Sequence, residues 1–244
     1  MINILMPMAG KSKFFDIPGY PFPIPLIEIE GNPMIELVIN NFNSIEKKKK
    51  FIFVVNGDEC NKYRLDNVLK LLTDDRCEII KLSGETKGAA CSALMAIEHI
   101  NNDEELIIAN SDQVIEEDLD RILNIFRKKN ADAAVICFES VHPRWSYVQL
   151  DKNNRIVEAA EKRPISKNAI AGMYYFKHGK YFIEAAMESI RKDASVDGLY
   201  YIAPTLNELV LKSKKLEIYR IENEKYHTFY LPQKIEDYEK RTQR

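Results

Sequence analysis

Short apolar runs alternate with segments of helical spacing along the first half of this chain, and that alternation constrains the fold more than any other feature. Phe51–Val55, Leu106–Ala109 and Ala133–Phe138 are continuous apolar stretches of strand length, Ile2–Met6 is another interrupted only by Asn3, and Glu78–Leu82 reads as a further strand. A strand without a polar face is buried on both sides, so helices must cover both faces of the sheet it belongs to. The intervening helices are Pro33–Asn41, with proline in its first turn, and Arg64–Leu72, with Leu65, Val68, Leu69 and Leu72 at helical spacing. An Ala-rich helix follows at Gly88–Ile100, and another at Leu119–Lys128. The pattern predicts a parallel, doubly wound α/β sheet with a ligand site at the carboxyl ends of its strands.

From Ser140 the texture changes. Tyr147–Leu150, Ile156–Ala160 and Met173–Phe176 are short strands, the first two joined by a hairpin turn at Asp151-Lys152-Asn153-Asn154. Helices return at Lys180–Lys192 and Ile202–Lys212, then a strand at Leu216–Arg220 and a helix at Gln233–Arg241. At 244 residues the expectation is a single domain, 1–244, divided into halves at 1–139 and 140–244. The second half is expected to be an α+β lobe laid over the sheet.

Composition excludes several function classes. The net charge of −2 exerts no pull towards nucleic acid or an anionic membrane. Lys47–Lys50 reads as a solvated loop rather than a nucleic-acid patch, since no aromatic residues interleave with it. The N-terminus lacks the charged, apolar and small-residue order of a secretory signal, and no apolar stretch reaches the roughly 18 residues of a membrane span. Cys60, Cys77, Cys91 and Cys137 are scattered and read as reduced, buried thiols, which points to the cytoplasm. His99, His142, His178 and His227 have no metal-ligand spacing.

Four places carry residues suited to chemistry. The first strand runs into Pro7-Met8-Ala9-Gly10 and a basic segment, Lys11-Ser12-Lys13. A small-residue turn there exposes backbone N–H groups, which together with Lys11 and Lys13 suit phosphate oxygens. Ile107–Ala109 ends at Asn110-Ser111-Asp112-Gln113, where an aspartate past a buried central strand suits a divalent metal, Mg²⁺ needing only one or two carboxylates beside phosphate. Gly84-Glu85-Thr86-Lys87-Gly88-Ala89 opens a helix and lets a flat group approach the backbone. In Ala160-Glu161-Lys162 and Ala171-Gly172-Met173-Tyr174, a carboxylate beside a lysine suits a phosphosugar, and Gly172 lets it come close to the backbone. Three of them also have a plainer reading: Asp112 as an Asx-turn, Thr86 as a helix N-cap, Glu161 and Lys162 as a surface charge pair.

Together these segments resemble the sugar nucleotidyltransferases, most nearly the single-domain members of capsule and lipopolysaccharide clusters. The resemblance rests on Ala9-Gly10, Pro23–Ile27, Gly31–Ile35, Thr86–Ala90, Ser111–Gln113, Ala160–Lys162 and Gly172–Tyr174 in that order, and extends to about Leu211. It implies the nucleotide-diphospho-sugar transferase fold, GT-A-like and Rossmann-like, in three layers around a mixed, mainly parallel sheet. The implied reaction is nucleoside triphosphate plus sugar 1-phosphate giving a nucleoside-diphosphate sugar and pyrophosphate, with Mg²⁺. Residues 1–139 become the nucleotide-binding half and 140–244 the sugar-binding and lid half. The implied roles are catalysis for Lys11, Lys13 and Asp112, with Asp112 on the metal. Met8, Ala9, Gly10, Thr86, Gly88 and Ala89 fall to the nucleotide, and Gln113, Glu161, Lys162 and Gly172 to the phosphosugar. No nucleic-acid partner or membrane insertion is implied, and a homo-oligomer is compatible with the chain.

The chain departs from the family pattern where cations and a second carboxylate are expected. Ser12 stands for a glycine, Phe14 for an arginine, Ile24 for a lysine, Leu199 for a glutamate and Thr228 for a metal carboxylate. Tyr230-Leu231-Pro232 stands for a closing Gly-Thr-Pro. Positioned cations do most of the work in phosphoryl transfer. Two further readings therefore stay open: a relative that binds nucleotide and phosphosugar without turnover, and a glycosyltransferase using a nucleoside-diphosphate sugar.

Overall fold

The computed structural model describes residues 1–10 and 22–242. The first half contains strands β1 (Ile2–Pro7), β2 (Glu28–Ile29), β3 (Asn32–Pro33), β4 (Lys49–Asn56), β5 (Cys77–Leu82), β6 (Glu105–Ala109), β7 (Gln113–Ile115) and β8 (Ala133–Glu139). Strands β9 (Ser146–Leu150), β10 (Ile156–Glu161), β11 (Asn168–Phe176), β12 (Leu216–Arg220) and β13 (Tyr226–Thr228) follow. The helices are α1 (Met34–Asn40), α2 (Gly57–Tyr63), α3 (Leu65–Leu72), α4 (Ala89–Leu94), α5 (Ile97–Ile100), α6 (Leu119–Lys128), α7 (Gly179–Arg191), α8 (Ile202–Leu211) and α9 (Pro232–Thr242).

Nine strands form one mixed sheet in the order β10-β9-β11-β6-β1-β4-β5, with β8 also on β11 and carrying β12. β1 lies between β4 and β6, parallel to both. Its side chains alternate between two cores. Ile4 and Met6 join Val38, Leu69 and Phe126 from α1, α3 and α6. Leu5 joins Ala93, Phe182 and Leu206 from α4, α7 and α8 on the other face. Burial on both sides is the reason these strands have no polar face, and it makes three layers. Cys60 and Cys137 are buried in these cores, and burial pushes the Cys137 thiol up to about 12. Among the described residues no helix is long and apolar enough to cross a membrane.

Three expectations need correction. The strands of the second half do not lie over the sheet but extend it, while its helices α7 and α8 cover one face. β11 pairs antiparallel with β6 on one edge and with β8 on the other, so its apolar run is buried as a central strand. That strand starts at Asn168 rather than Met173, and its register shifts between Ile170 and Tyr174, where Gly172 takes a φ of 58°. The glycine marks an irregularity within the strand, not its boundary.

The helix expected over Gly88–Ile100 is two helices. Met95 and Ala96 bond back three residues to Ser92 and Ala93, tightening the turn between α4 and α5 while Ala93, Ala96 and Ile100 all stay buried. Lastly, α2 was not expected. Its N-cap, Asn56, ends β4 and accepts a hydrogen bond from the Glu59 N–H at 3.0 Å.

Candidate active site

β1 and β6 are parallel neighbours, so Met8-Ala9-Gly10 and Asn110-Ser111-Asp112 leave the sheet at the same end. Asn110 is tied to β11 by its N–H, which donates to the Gly172 carbonyl at 3.0 Å. The buried Gln113 donates through Nε2 to the Ala171 carbonyl at 2.7 Å. Gln113 Oε1 accepts from Asn110 Nδ2 at 3.3 Å and from the Tyr226 hydroxyl at 2.9 Å. From the far end of the chain, β13 pairs antiparallel with β7, Thr228 opposite Gln113, and the Phe229 N–H donates to the Asp112 carbonyl at 2.8 Å. Asp112 is thereby held by its carbonyl bond to Phe229 and by the anchoring of Asn110 and Gln113 on either side of it.

Asp112, Glu161, Gly172 and Ala89 line one cleft of about 250 Å³, together with Ser146, Tyr174 and Thr228. Burial pushes the Asp112 carboxyl above its usual range, against the pull of its own backbone N–H and the charge of Arg144. Burial likewise raises Glu161, against the Ser146 hydroxyl that donates to it and the charge of Lys162. The Tyr174 and Tyr226 phenols are pushed up by burial and by the carboxyls of Glu161 and Asp112 respectively. Two carboxyl groups disfavoured in their charged form make the cleft receptive to a cation.

Other expected residues lie around this cleft rather than on its wall. Met8 donates its N–H to the Val54 carbonyl at 2.8 Å and packs on one core, while Ala9 packs on the other. Gly10 is exposed, and Lys11 and Lys13 lie outside the described residues, as do Ser12 and Phe14. Thr86 does not cap α4, whose N-cap is Gly88; its hydroxyl is spent on Ser92 at 2.6 Å and on the Gly88 carbonyl at 3.2 Å.

Gly88 itself, at a φ of 103°, lies against the Tyr200 backbone, where a Cβ would collide. Tyr200 answers with two backbone bonds, its N–H to the Lys87 carbonyl at 2.8 Å and its carbonyl from the Ala90 N–H at 3.0 Å. Lys162 turns away from its neighbour Glu161, towards the Tyr201 hydroxyl at 2.8 Å and Asp197 at 3.5 Å. At Gly172 a Cβ would collide with the Asn110 and Gln113 amides, so the missing side chain makes room for these amides as well as opening on the cleft.

Sequence reasoning missed Arg144, Trp145, Tyr201 and Tyr226, all on the cleft wall. Only Trp145 carried a signal, as the chain's one tryptophan. Ile24 is half-buried and packs on the cluster of Ile27, Met34, Val114 and Phe229.

The sequence model of the family described as nucleotidyl transferase matches residues 21–223, and the chain belongs to that family. No curated protein matches the sequence. The fold is that of a nucleoside-diphosphate-sugar pyrophosphorylase from Vibrio cholerae RC9, with a TM-score of 0.84 at 23% identity over 97% of this chain and 99% of the other. It is similar also to a UDP-glucose pyrophosphorylase solved with UDP-glucose, with a TM-score of 0.76 at 17% identity over 100% of this chain and 99% of the other.

Proposed function

We propose that this protein transfers a nucleotidyl group from a nucleoside triphosphate to a sugar 1-phosphate or similar phosphorylated acceptor, releasing pyrophosphate and a nucleoside-diphosphate sugar. The observation that carries the reading is Asp112, a half-buried carboxylate fixed past β6 beside the end of β1, in a cleft shared with Glu161. Met8, Ala9 and Gly10, with Lys11 and Lys13, would receive the triphosphate; Thr86, Gly88 and Ala89 would border the nucleoside. Gln113, Glu161, Lys162 and Gly172 would border the phosphosugar, so that residues 1–139 serve the nucleotide and 140–244 the acceptor.

Mg²⁺ is the metal implied. Among the described residues no trio of His, Cys, Asp or Glu stands ready to hold a metal alone. A single carboxylate disfavoured by burial nevertheless fits an ion that brings phosphate oxygens as its other ligands. Asp112 would hold it, and the ion would neutralise charge developing on the phosphates. Sugar nucleotides are donors for polysaccharide assembly, and we propose capsule or lipopolysaccharide assembly, served from the cytoplasm, as the setting of this activity; the resemblance to enzymes of such clusters supports that reading.

A second reading, binding without turnover, is favoured by two observations. Ile24 is packed into an apolar cluster where a lysine is expected, and Thr228 faces the cleft where a carboxylate is expected. Thermal unfolding with CTP, GTP, UTP and dTTP, with and without Mg²⁺, tests the common part. A ligand at 100 times its Kd stabilises by about 2.7 kcal/mol. No shift with any triphosphate overturns both readings. Pyrophosphate release on adding sugar 1-phosphates then separates turnover from binding.

A further inference from the structure

An anionic ligand in the Asp112–Glu161 cleft needs a cation, and the described walls offer few. Lys162 is engaged by Tyr201 and Asp197, and Ile24 is apolar. Arg144 is placed differently. Its guanidinium carbon lies 3.3 Å from the centroid of the Tyr230 ring and 5.0 Å from that of Trp145. Among the described residues no hydrogen bond or ion pair engages its side-chain nitrogens; only its backbone N–H is used, on His142 Nδ1 at 3.3 Å. Stacking occupies the flat face of a guanidinium and leaves its in-plane N–H donors available, in the fork that matches phosphate oxygens. Arg144 also borders a neighbouring cavity of about 750 Å³, so its donors stand between two openings.

We infer that Arg144 is a phosphate clamp: a guanidinium held flat by Tyr230 and Trp145, with its donor edge offered to the phosphate oxygens of whatever ligand occupies the cleft. The inference rests on the nucleotidyltransferase reading and names a residue for the charge that the departures at Phe14 and Ile24 remove. Tyr230 is a positioning residue in this arrangement, acting through Arg144. The phosphate belongs either to the triphosphate or to the phosphorylated acceptor.

Isothermal titration with CTP, GTP, UTP and dTTP in Mg²⁺, and separately with glucose 1-phosphate, distinguishes these sources. Arg144→Ala is expected to weaken binding at least about tenfold for the ligand whose phosphate is clamped. Arg144→Lys should fall between, since a point charge replaces a fork. Tyr230→Leu should reproduce part of the loss and Tyr230→Phe restore it, because the phenyl face remains; thermal unfolding confirms that each variant is folded. A loss confined to triphosphates assigns the clamp to the nucleotide, and one confined to glucose 1-phosphate assigns it to the acceptor. Wild-type affinity for every probe in Arg144→Ala overturns the clamp and leaves the functional reading standing. A wild-type protein that binds none of the probes overturns both.

Discussion

Asp112 works against the stability of the empty protein. Its carboxyl group is pushed above its usual range, so at neutral pH the charged form is less favourable in the folded chain than in the unfolded one. Replacing it by a neutral isostere removes that penalty. Asp112→Asn is therefore expected to unfold at the same temperature as the wild type or higher at pH 7. The difference should shrink as pH falls below the ordinary carboxylate range, where both states are protonated. The same variant should lose Mg²⁺-dependent stabilisation by nucleotide. Melting curves across pH, with and without Mg²⁺ and triphosphate, read both effects. A variant that melts lower and binds nucleotide normally would show Asp112 to be a turn residue.

At the scale of elements, the loop into α4 depends on one glycine. Gly88 takes a left-handed φ and abuts the Tyr200 backbone, and two backbone hydrogen bonds lock the loops together there. Gly88→Ala adds both backbone strain and a collision with carbonyl and amide atoms that cannot rotate away. A loss of about 2 kcal/mol or more is expected in urea unfolding. Because Tyr201 next along lines the cleft, triphosphate affinity should fall as well.

The sheet's inner strands were legible because their side chains are buried on both faces, a pattern that needs no partner to be read. Leu119–Lys128 was legible as a helix from its period, and its bounds agree with α6. β7 and β13 were not, since three-residue strands carry no period and exist through each other. The site was half legible. Asp112 lies just past a strand and Glu161 ends one, whereas Arg144, Tyr226 and Tyr230 reach the cleft only through long-range contacts that no local spacing records.

At the scale of the whole molecule, the sheet end opposite the cleft holds a largely buried charge cluster around Glu105. The Glu105 carboxylate accepts from Arg127 Nε and Nη2 at 2.8 and 2.9 Å, from Lys47 Nζ at 2.9 Å and from the Tyr175 hydroxyl at 2.9 Å. Burial alone would raise its carboxyl; those donors and the Arg127 charge overcome it and hold the group at about 2. A group depressed from 4.5 to about 2 contributes about 3 kcal/mol at neutral pH. That contribution is complete above the ordinary glutamate range and disappears as pH falls through 2. Wild-type stability should drop across this acid window in urea titrations, and Glu105→Gln should start lower and show a flatter dependence. Parallel slopes for the two proteins would remove Glu105 from the account of acid unfolding.

The pairing of β13 with β7 gives the molecule a direction in time. Chains leave the ribosome amino end first, and the strands of the large sheet are complete by Arg220, before Tyr226–Thr228 can close over Asp112. A nascent chain stalled at Lys225 would carry a sheet without a finished cleft. Under the proposed function, nucleotide would therefore stabilise only chains in which β13 has paired.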